Sequence, residues 1–163
     1  VITDKPSLSF RPIDIARDAA LCLEFRADSY EASFGDANEF WRDAGAGGEA
    51  YLRKLAERSE AWPGSCAHVW RADDCVGQVE LRSDGDLGYV NLFYVRPDLR
   101  GTGLGRLEHE YSIALFRSAG FDRAYLYVSE TNVQARGFYE RMGWHTTGRR
   151  PGSPQLLRME RAL

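Results

Sequence analysis

Apolar and polar positions change period several times along this chain, and each change marks an element. Leu8 to Ile13 alternates and predicts a strand that stops at Pro12. Asp14 to Tyr30 follows with Ile15, Ala19, Cys22, Leu23 and Ala27 at helical spacing and Asp14 in cap position. Asn38 to Trp41 and Glu49 to Arg58 predict a second helical region, interrupted by the glycine-rich Ala44 to Gly48. Trp62, Pro63 and Gly64 then break the chain. The centre switches to strand pattern: Ala67 to Ala72 and Val76 to Arg82 flank a turn at Asp73 and Asp74, as in an antiparallel hairpin. A second turn at Asp84, Gly85 and Asp86 leads into Gly88 to Val95, aromatic and β-branched, with Pro97 as its stop. Gly103 to Ala119 predicts a helix closed by Gly120, with Leu104, Leu107, Tyr111, Ala114 and Leu115 on one face and His109 on the solvent side. Ala124 to Val128 is a short strand, and Asn132 to Met142 a helix ending at Gly143. Trp144 to Thr147 and Leu156 to Glu160 form a last hairpin around a Gly148 to Pro154 loop. Strands on both sides of a βαβ-like segment predict a mixed sheet with helices packed on it.

Bulk properties narrow the function classes. The 163 residues suit a single domain, 1–163, and the 44% apolar and 28% charged fractions are those of a soluble globular chain. No stretch approaches the roughly 20 apolar residues of a membrane span. Val1 to Phe10 lacks the basic segment and apolar run of a secretory signal, although a first residue other than Met points to trimming. A net charge of -3 argues against binding nucleic acid by broad phosphate neutralisation. Cys22, Cys66 and Cys75 have no paired ligand spacing, and His68, His109 and His145 are scattered, so no metal site is expected. The cysteines read as buried or half-buried thiols in a reducing cytoplasm.

The segment Arg100-Gly101-Thr102-Gly103-Leu104-Gly105-Arg106 joins a strand to a helix. Its glycines let the backbone turn sharply and bring N–H groups to a ligand, and the helix adds the positive end of its dipole. Such a turn favours an anion such as a pyrophosphate, with Arg100 and Arg106 as reinforcement; the bland alternative is a simple tight turn. A Walker loop would need Lys followed by Ser or Thr, which this segment lacks. A dinucleotide fingerprint would need glycine where Arg106 stands, in the chain's first βαβ unit.

The segment does match R/Q-x-x-G-x-G/A through Arg100, Gly103 and Gly105. Leu92-Phe93-Tyr94-Val95 with Pro97 precedes it, and Asn132, Ala135, Phe138, Tyr139, Gly143 and Trp144 fit N-x-x-A-x-x-F-Y-x-x-x-G-[FW] after it. In these motifs, spanning about residues 76 to 147, the sequence resembles the GNAT superfamily of acetyl-CoA-dependent N-acetyltransferases. The resemblance implies an α/β (α+β) fold: a mixed, mostly antiparallel sheet splayed open in the middle, with helices on both faces. It divides the domain into acceptor-side elements (1–65), the sheet with its acetyl-CoA motifs (66–147) and a C-terminal hairpin (148–163). It implies that acetyl-CoA is the co-substrate, its pantetheine arm along the backbone of Phe93, Tyr94 and Val95. Its pyrophosphate would lie on the amides of Arg100, Gly101, Thr102, Gly103, Leu104 and Gly105, with Arg106 nearby. A main-chain N–H would hold the oxyanion.

By the same resemblance, Tyr139 stands where family members protonate the departing thiolate, or it only packs against or hydrogen-bonds the pantetheine arm. Asn132 stands where a residue bonds near the cofactor arm, or it caps its own helix. Glu80 is the candidate base, or an outward-facing strand carboxylate. The acceptor is an amine of a small molecule or peptide, attacked within a ternary complex, and a homodimer is in keeping with the family. Asp28, Glu31, Asp36, Glu39, Asp43 and Glu49 form either a negative rim that attracts a cationic amine or a solvated helix face. Tyr30, Phe34, Phe40 and Trp41 form an apolar wall or plain core. The rival of another class is an acyl-CoA-binding sensor or scaffold with this fold and no turnover.

Overall fold

The computed structural model describes residues 7–163; the reading of Val1 to Pro6 as free of a secretory signal lies outside the described residues. Seven strands form one sheet in the order β1-β2-β3-β4-β5-β7-β6. They are β1 (Leu8–Pro12), β2 (Cys66–Arg71), β3 (Asp74–Asp84), β4 (Leu87–Val95), β5 (Arg123–Ser129), β6 (His145–Arg150) and β7 (Ser153–Ala162). Every neighbouring pair is antiparallel except β4 and β5, which are parallel. Five α-helices accompany them among the described residues: α1 (Ile15–Phe34), α2 (Asn38–Ala44), α3 (Glu49–Ala61), α4 (Leu104–Ser118) and α5 (Val133–Arg141).

Period-two burial divides the sheet into two faces. Val79, Leu81, Val90, Leu126 and Val128 join Leu104, Ile113 and Phe116 of α4 in the largest core cluster. On the opposite face Phe25 of α1 packs on Leu92 and Tyr94, and Cys22 and Leu55 pack on Cys66. Gly88 lies where a Cβ would come within 2.5 Å of Phe116, so glycine permits α4 to sit this close to the sheet. The three cysteines are buried and unbridged, and burial pushes the thiols of Cys66 and Cys75 up to about 12 and about 11.

Two irregularities prepare a site. The parallel β4–β5 register runs only through Gly88–Ala124, Tyr89–Tyr125 and Val90–Leu126, after which the strands part. Opposite this point Glu80 pairs with Leu92 and Leu81 with Val90, leaving Asn91 as an extra residue in β4. That is a β-bulge, which bends a strand and ends regular pairing. The Arg26 guanidinium fixes it by donating to the Asn91 carbonyl at 3.0 Å.

Several sequence expectations need correction. The buried stripe of α4 runs through Leu104, Glu108, His109, Ser112, Ile113 and Phe116, while Leu107 is 42% exposed. Three polar side chains in that stripe hid it from an apolar count. His109 is therefore inside, accepting from Trp144 Nε1 at 2.9 Å. The C-terminal loop shrinks to Pro151 and Gly152, because β6 and β7 extend to meet at Arg150 and Ser153. All of β6 is exposed, so it carries no apolar alternation to read. Asp74 lies in β3 rather than in the preceding turn.

Candidate active site

Past Val90 and Leu126 the two strands enclose one side of a cleft of about 760 Å³, lined also by α1, the glycine loop and α5. Antiparallel strands point alternate residues at a given neighbour. Since the Arg96 N–H donates to the Val76 carbonyl at 2.9 Å, alternation turns the N–H and C=O of Phe93 to the cleft side. Val95 points the same way, but its carbonyl already accepts from Arg100 Nε at 2.9 Å. Tyr94 sends its side chain to the other face, where its hydroxyl donates to Asp28 at 2.7 Å.

The glycine loop begins with a turn, Pro97–Leu99, whose last bond runs from the Arg100 N–H to the Pro97 carbonyl at 3.3 Å. Arg100 thus contributes no free amide. The N–H groups of Gly101, Thr102 and Gly103 donate to no described residue, and Gly103, the cap of α4, has no side chain to bond its first turn. Gly101 and Gly103 hold φ of 79° and 94°, and a Cβ on either would meet nothing within 4 Å. Left-handed backbone and open space above it leave these amides facing the cleft. Thr102 Oγ1 turns back to the Leu99 carbonyl at 2.6 Å, and Leu104 is buried in the core. Gly105 serves packing: a Cβ there would come within 3.3 Å of Phe138 on α5.

Neither predicted arginine is uncommitted. Arg100 joins the end of β4 to Asp28 of α1 at 3.4 Å, and Arg106 pairs with Glu110 at 3.0 Å on the surface. Arg141 of α5, which the motif reading passed over, also lines the cleft.

Tyr139 lies on the cleft wall with its ring near Phe93 and Trp144, at centroid distances of 6.1 and 6.2 Å. Burial, and secondarily the nearby Glu108, raise its hydroxyl above the ordinary tyrosine value, so it stays protonated. That hydroxyl bonds to no described side chain. Asn132 caps α5, accepting from the Ala135 N–H at 3.2 Å, and donates to Ser33 of α1 at 3.4 Å.

Glu80 points inward, fully buried, which removes the outward-facing alternative. Tyr51 donates to one oxygen, as does Gln78 at 2.8 Å, and Asn91 donates to the other at 2.8 Å. Arg58 stands 3.7 Å away. The carboxylate does not line the cleft; the bulged Asn91 stands between. Behind it Gln78 bonds His68 at 2.8 Å, and His68 faces Asp18 at 3.8 Å, a polar chain that the sequence reading missed. Its signal was the alternation His68, then Gln78 and Glu80, on one face of adjacent strands. None of the six expected acidic rim residues lines the cleft; among the aromatics Tyr30 and Phe34 do, and Phe40 is core.

The other omission is Glu108, 1% exposed, with neither carboxyl oxygen bonded to a described residue. Burial holds it well above the usual carboxylate range, so it is neutral. Its spacing from Leu104 and Ser112 was the available clue. Its neighbour His109 is pushed down to about 4, first by burial and then by Arg161, and is neutral too. Glu108→Leu should raise stability by about 2 kcal/mol at neutral pH, since an unpaired polar group leaves the core. The sign for a raised carboxyl is that stability is full below the unfolded value of 4.5 and falls as pH climbs toward the folded one. For His109 it is opposite: stability is full above 6.5 and falls as pH drops toward about 4. Urea titrations of both proteins from pH 4 to 9 should show the gap widening with pH; a constant gap would show that Glu108 does not titrate this way.

A parted pair of parallel strands, leading to unbonded amides at a helix N-terminus, has the shape and polarity to suit an extended ligand with an anionic end. The chain belongs to the acetyltransferase (GNAT) family, whose model matches residues 30–144. It is similar to the mycothiol acetyltransferase of Thermobispora bispora, 44% identical over 62 residues that make up 38% of this chain and 21% of that one. It is also similar to the peptidyl-lysine N-acetyltransferase YjaB of Salmonella typhimurium, 34% identical over 51% of this chain and 54% of the relative. The chain thus spans between a fifth and about half the length of these curated relatives. In fold it resembles the PaiA N-acetyltransferase of Thermoplasma acidophilum in complex with coenzyme A. That match has a TM-score of 0.79 and 17% identity, over 96% of this chain and 99% of the other. The α+β architecture expected from the motifs is the one observed. No helix among the described residues is long and apolar enough to cross a membrane.

Proposed function

We propose that this chain is an acetyl-CoA-dependent N-acetyltransferase domain that passes the acetyl group directly to an amine within a ternary complex. The observation that carries the reading is the cleft itself, which runs from the unbonded amides of Gly101–Gly103 along Phe93 to the unbonded hydroxyl of Tyr139. A diphosphate fits the amides, and an amide-bearing arm fits the free backbone groups of Phe93 as an added strand does. Arg100 and Arg106 then act by charge and by bracing the loop.

In this reading the amine nitrogen attacks the thioester carbonyl carbon at the point where β4 and β5 part. A main-chain N–H beside the bulge stabilises the developing oxyanion. The carbon–sulfur bond breaks, and the departing thiolate takes the Tyr139 proton, which the raised hydroxyl value has kept in place. An alkylamine, with a pKa of about 10, must first lose a proton. We assign that proton to Glu80, reached by way of water at the Asn91 bulge, because the carboxylate stands behind that residue rather than on the wall. The acceptor is a small amine-bearing molecule in preference to a protein lysine, since a cleft of about 760 Å³ is of the size that takes small ligands. The names of the relatives, a mycothiol acetyltransferase and a peptidyl-lysine N-acetyltransferase, are in keeping with acetyl transfer to nitrogen.

Thiol release from acetyl-CoA across a panel of amines tests this, with calorimetry of CoA binding alongside. Amine-dependent release is the expected result. Tight CoA binding with no release for any amine would make the chain an acyl-CoA-binding module instead.

A further inference from the structure

At its acceptor end the cleft is cationic and aromatic. Tyr89 of β4 and Tyr127 of β5 line it on the face opposite α4, with Tyr125 beside them and its hydroxyl donating to Asp84 outside the cleft; the ring centroids are 4.7 to 6.2 Å apart. Arginines lie over them: Arg150, on the cleft wall, is 5.2 Å from the Tyr127 ring, and Arg82, behind the wall, is 4.5 Å from that of Tyr89. Arg26 adds a third guanidinium, 5.4 Å from the Tyr30 ring, with the buried Glu80 as its nearest opposing charge. Burial raises the Tyr89 hydroxyl, and the charges of Arg82, Arg26 and Arg150 all pull against it, which places three cations around one phenol. Arg82 and Arg150 have no carboxylate within 4.0 Å among the described residues. Among the described residues the only acidic side chain on the cleft wall is Glu108, which is neutral.

Such a mouth repels a polycation and concentrates an anion; a cleft with walls of low dielectric strengthens that field. Tyr89 is two residues before the bulge, roughly 7 Å along the strand at about 3.3 Å per residue, and Tyr127 is one beyond the last paired position, so the two rings flank the parting of the strands. We propose that the acceptor is a carboxylate-bearing amine, an amino acid, whose carboxylate is held by Arg150 and Arg26 against the faces of Tyr89 and Tyr127 while its amine reaches the parting of the strands. The proposal rests on the acetyltransferase reading and names the acceptor class of the same cleft.

Matched pairs separate the two readings. Phenylalanine against phenethylamine presents an α-carboxylate, and 5-aminopentanoate against pentylamine presents a distant one, each beside the same amine without it. The carboxylated member of at least one pair should show a kcat/KM at least about 10-fold higher, and which pair it is gives the spacing. Calorimetry on the CoA-loaded protein should show the same order of affinity, so the anion pocket is tested even without turnover. In Arg150→Gln, an exposed change in the hairpin, the preference should fall at least about fivefold. Equal or reversed preference in both pairs, by both readouts, overturns the acceptor class while amine-dependent thiol release leaves the acetyltransferase standing. A carboxylate preference in binding with no release from any amine keeps the pocket and overturns the enzyme. A preference that survives in Arg150→Gln and in Arg26→Gln overturns the assignment of these two residues.

Discussion

Tyr139→Phe is expected to lower kcat by about 10-fold or more while leaving the affinity for CoA within about twofold. The substitution removes one oxygen and keeps the ring, so the packing against Phe93 and Trp144 survives. Because the hydroxyl bonds to no described side chain, its loss strands no partner and should hardly change stability. What disappears is a donor for the thiolate, whose pKa is roughly 8.5 by analogy with cysteine. Because burial keeps the hydroxyl protonated throughout the workable pH range, the loss should be the same at every alkaline pH tested, with no high-pH limb from this residue in either protein. Unchanged kcat, with the same profile, would remove Tyr139 from the chemistry and leave it a packing residue.

Gly103→Val should weaken CoA binding about 100-fold, the equivalent of about 2.7 kcal/mol. Two effects need separating. With φ of 94°, any side chain at 103 is strained by roughly 1–2 kcal/mol. The added methyl groups also enter the open space above the amides, where the diphosphate would sit. Gly120, with φ of 86° and equally open surroundings at the far end of α4, carries the first effect without the second. Gly120→Val should lose comparable thermal stability and keep its CoA affinity, both measured by calorimetry. Equal CoA affinity in the two variants would mean that the diphosphate does not rest on this loop.

Glycines and strand-to-helix order made the loop legible, since positive φ at Gly101 and Gly103 leaves few other residues a place there. The helix cap at Asp14 and the hairpin strands were legible for the same reason: local chemistry determines them. The Asn91 bulge was not, because a bulge is a mismatch between two strands and neither alone records it. Glu80 was read from β3 by itself, where period two leaves the choice of face open. Only pairing with β4 and the packing of α3 show that Asn91 and Tyr51 join Gln78 around it. Glu108 and His109 were missed for a different reason. A pattern of burial is inferred from apolar side chains, and here polar ones occupy buried positions of α4.

The extra residue at Asn91 gives β4 two phases. Before it, Gly88 and Val90 turn toward α4 and Tyr89 toward α1; after it, Phe93 and Val95 turn toward α4, and Leu92 and Tyr94 toward α1. One strand therefore presents the Tyr89 ring from an odd-numbered position on one side and the Phe93 ring from an odd-numbered position on the other. Were the same residues to run through this segment without the bulge, strict alternation would put Tyr89 and Phe93, four positions apart, on the same side of the sheet. In the proposed reaction the two substrate halves of the cleft are in this sense kept apart by counting.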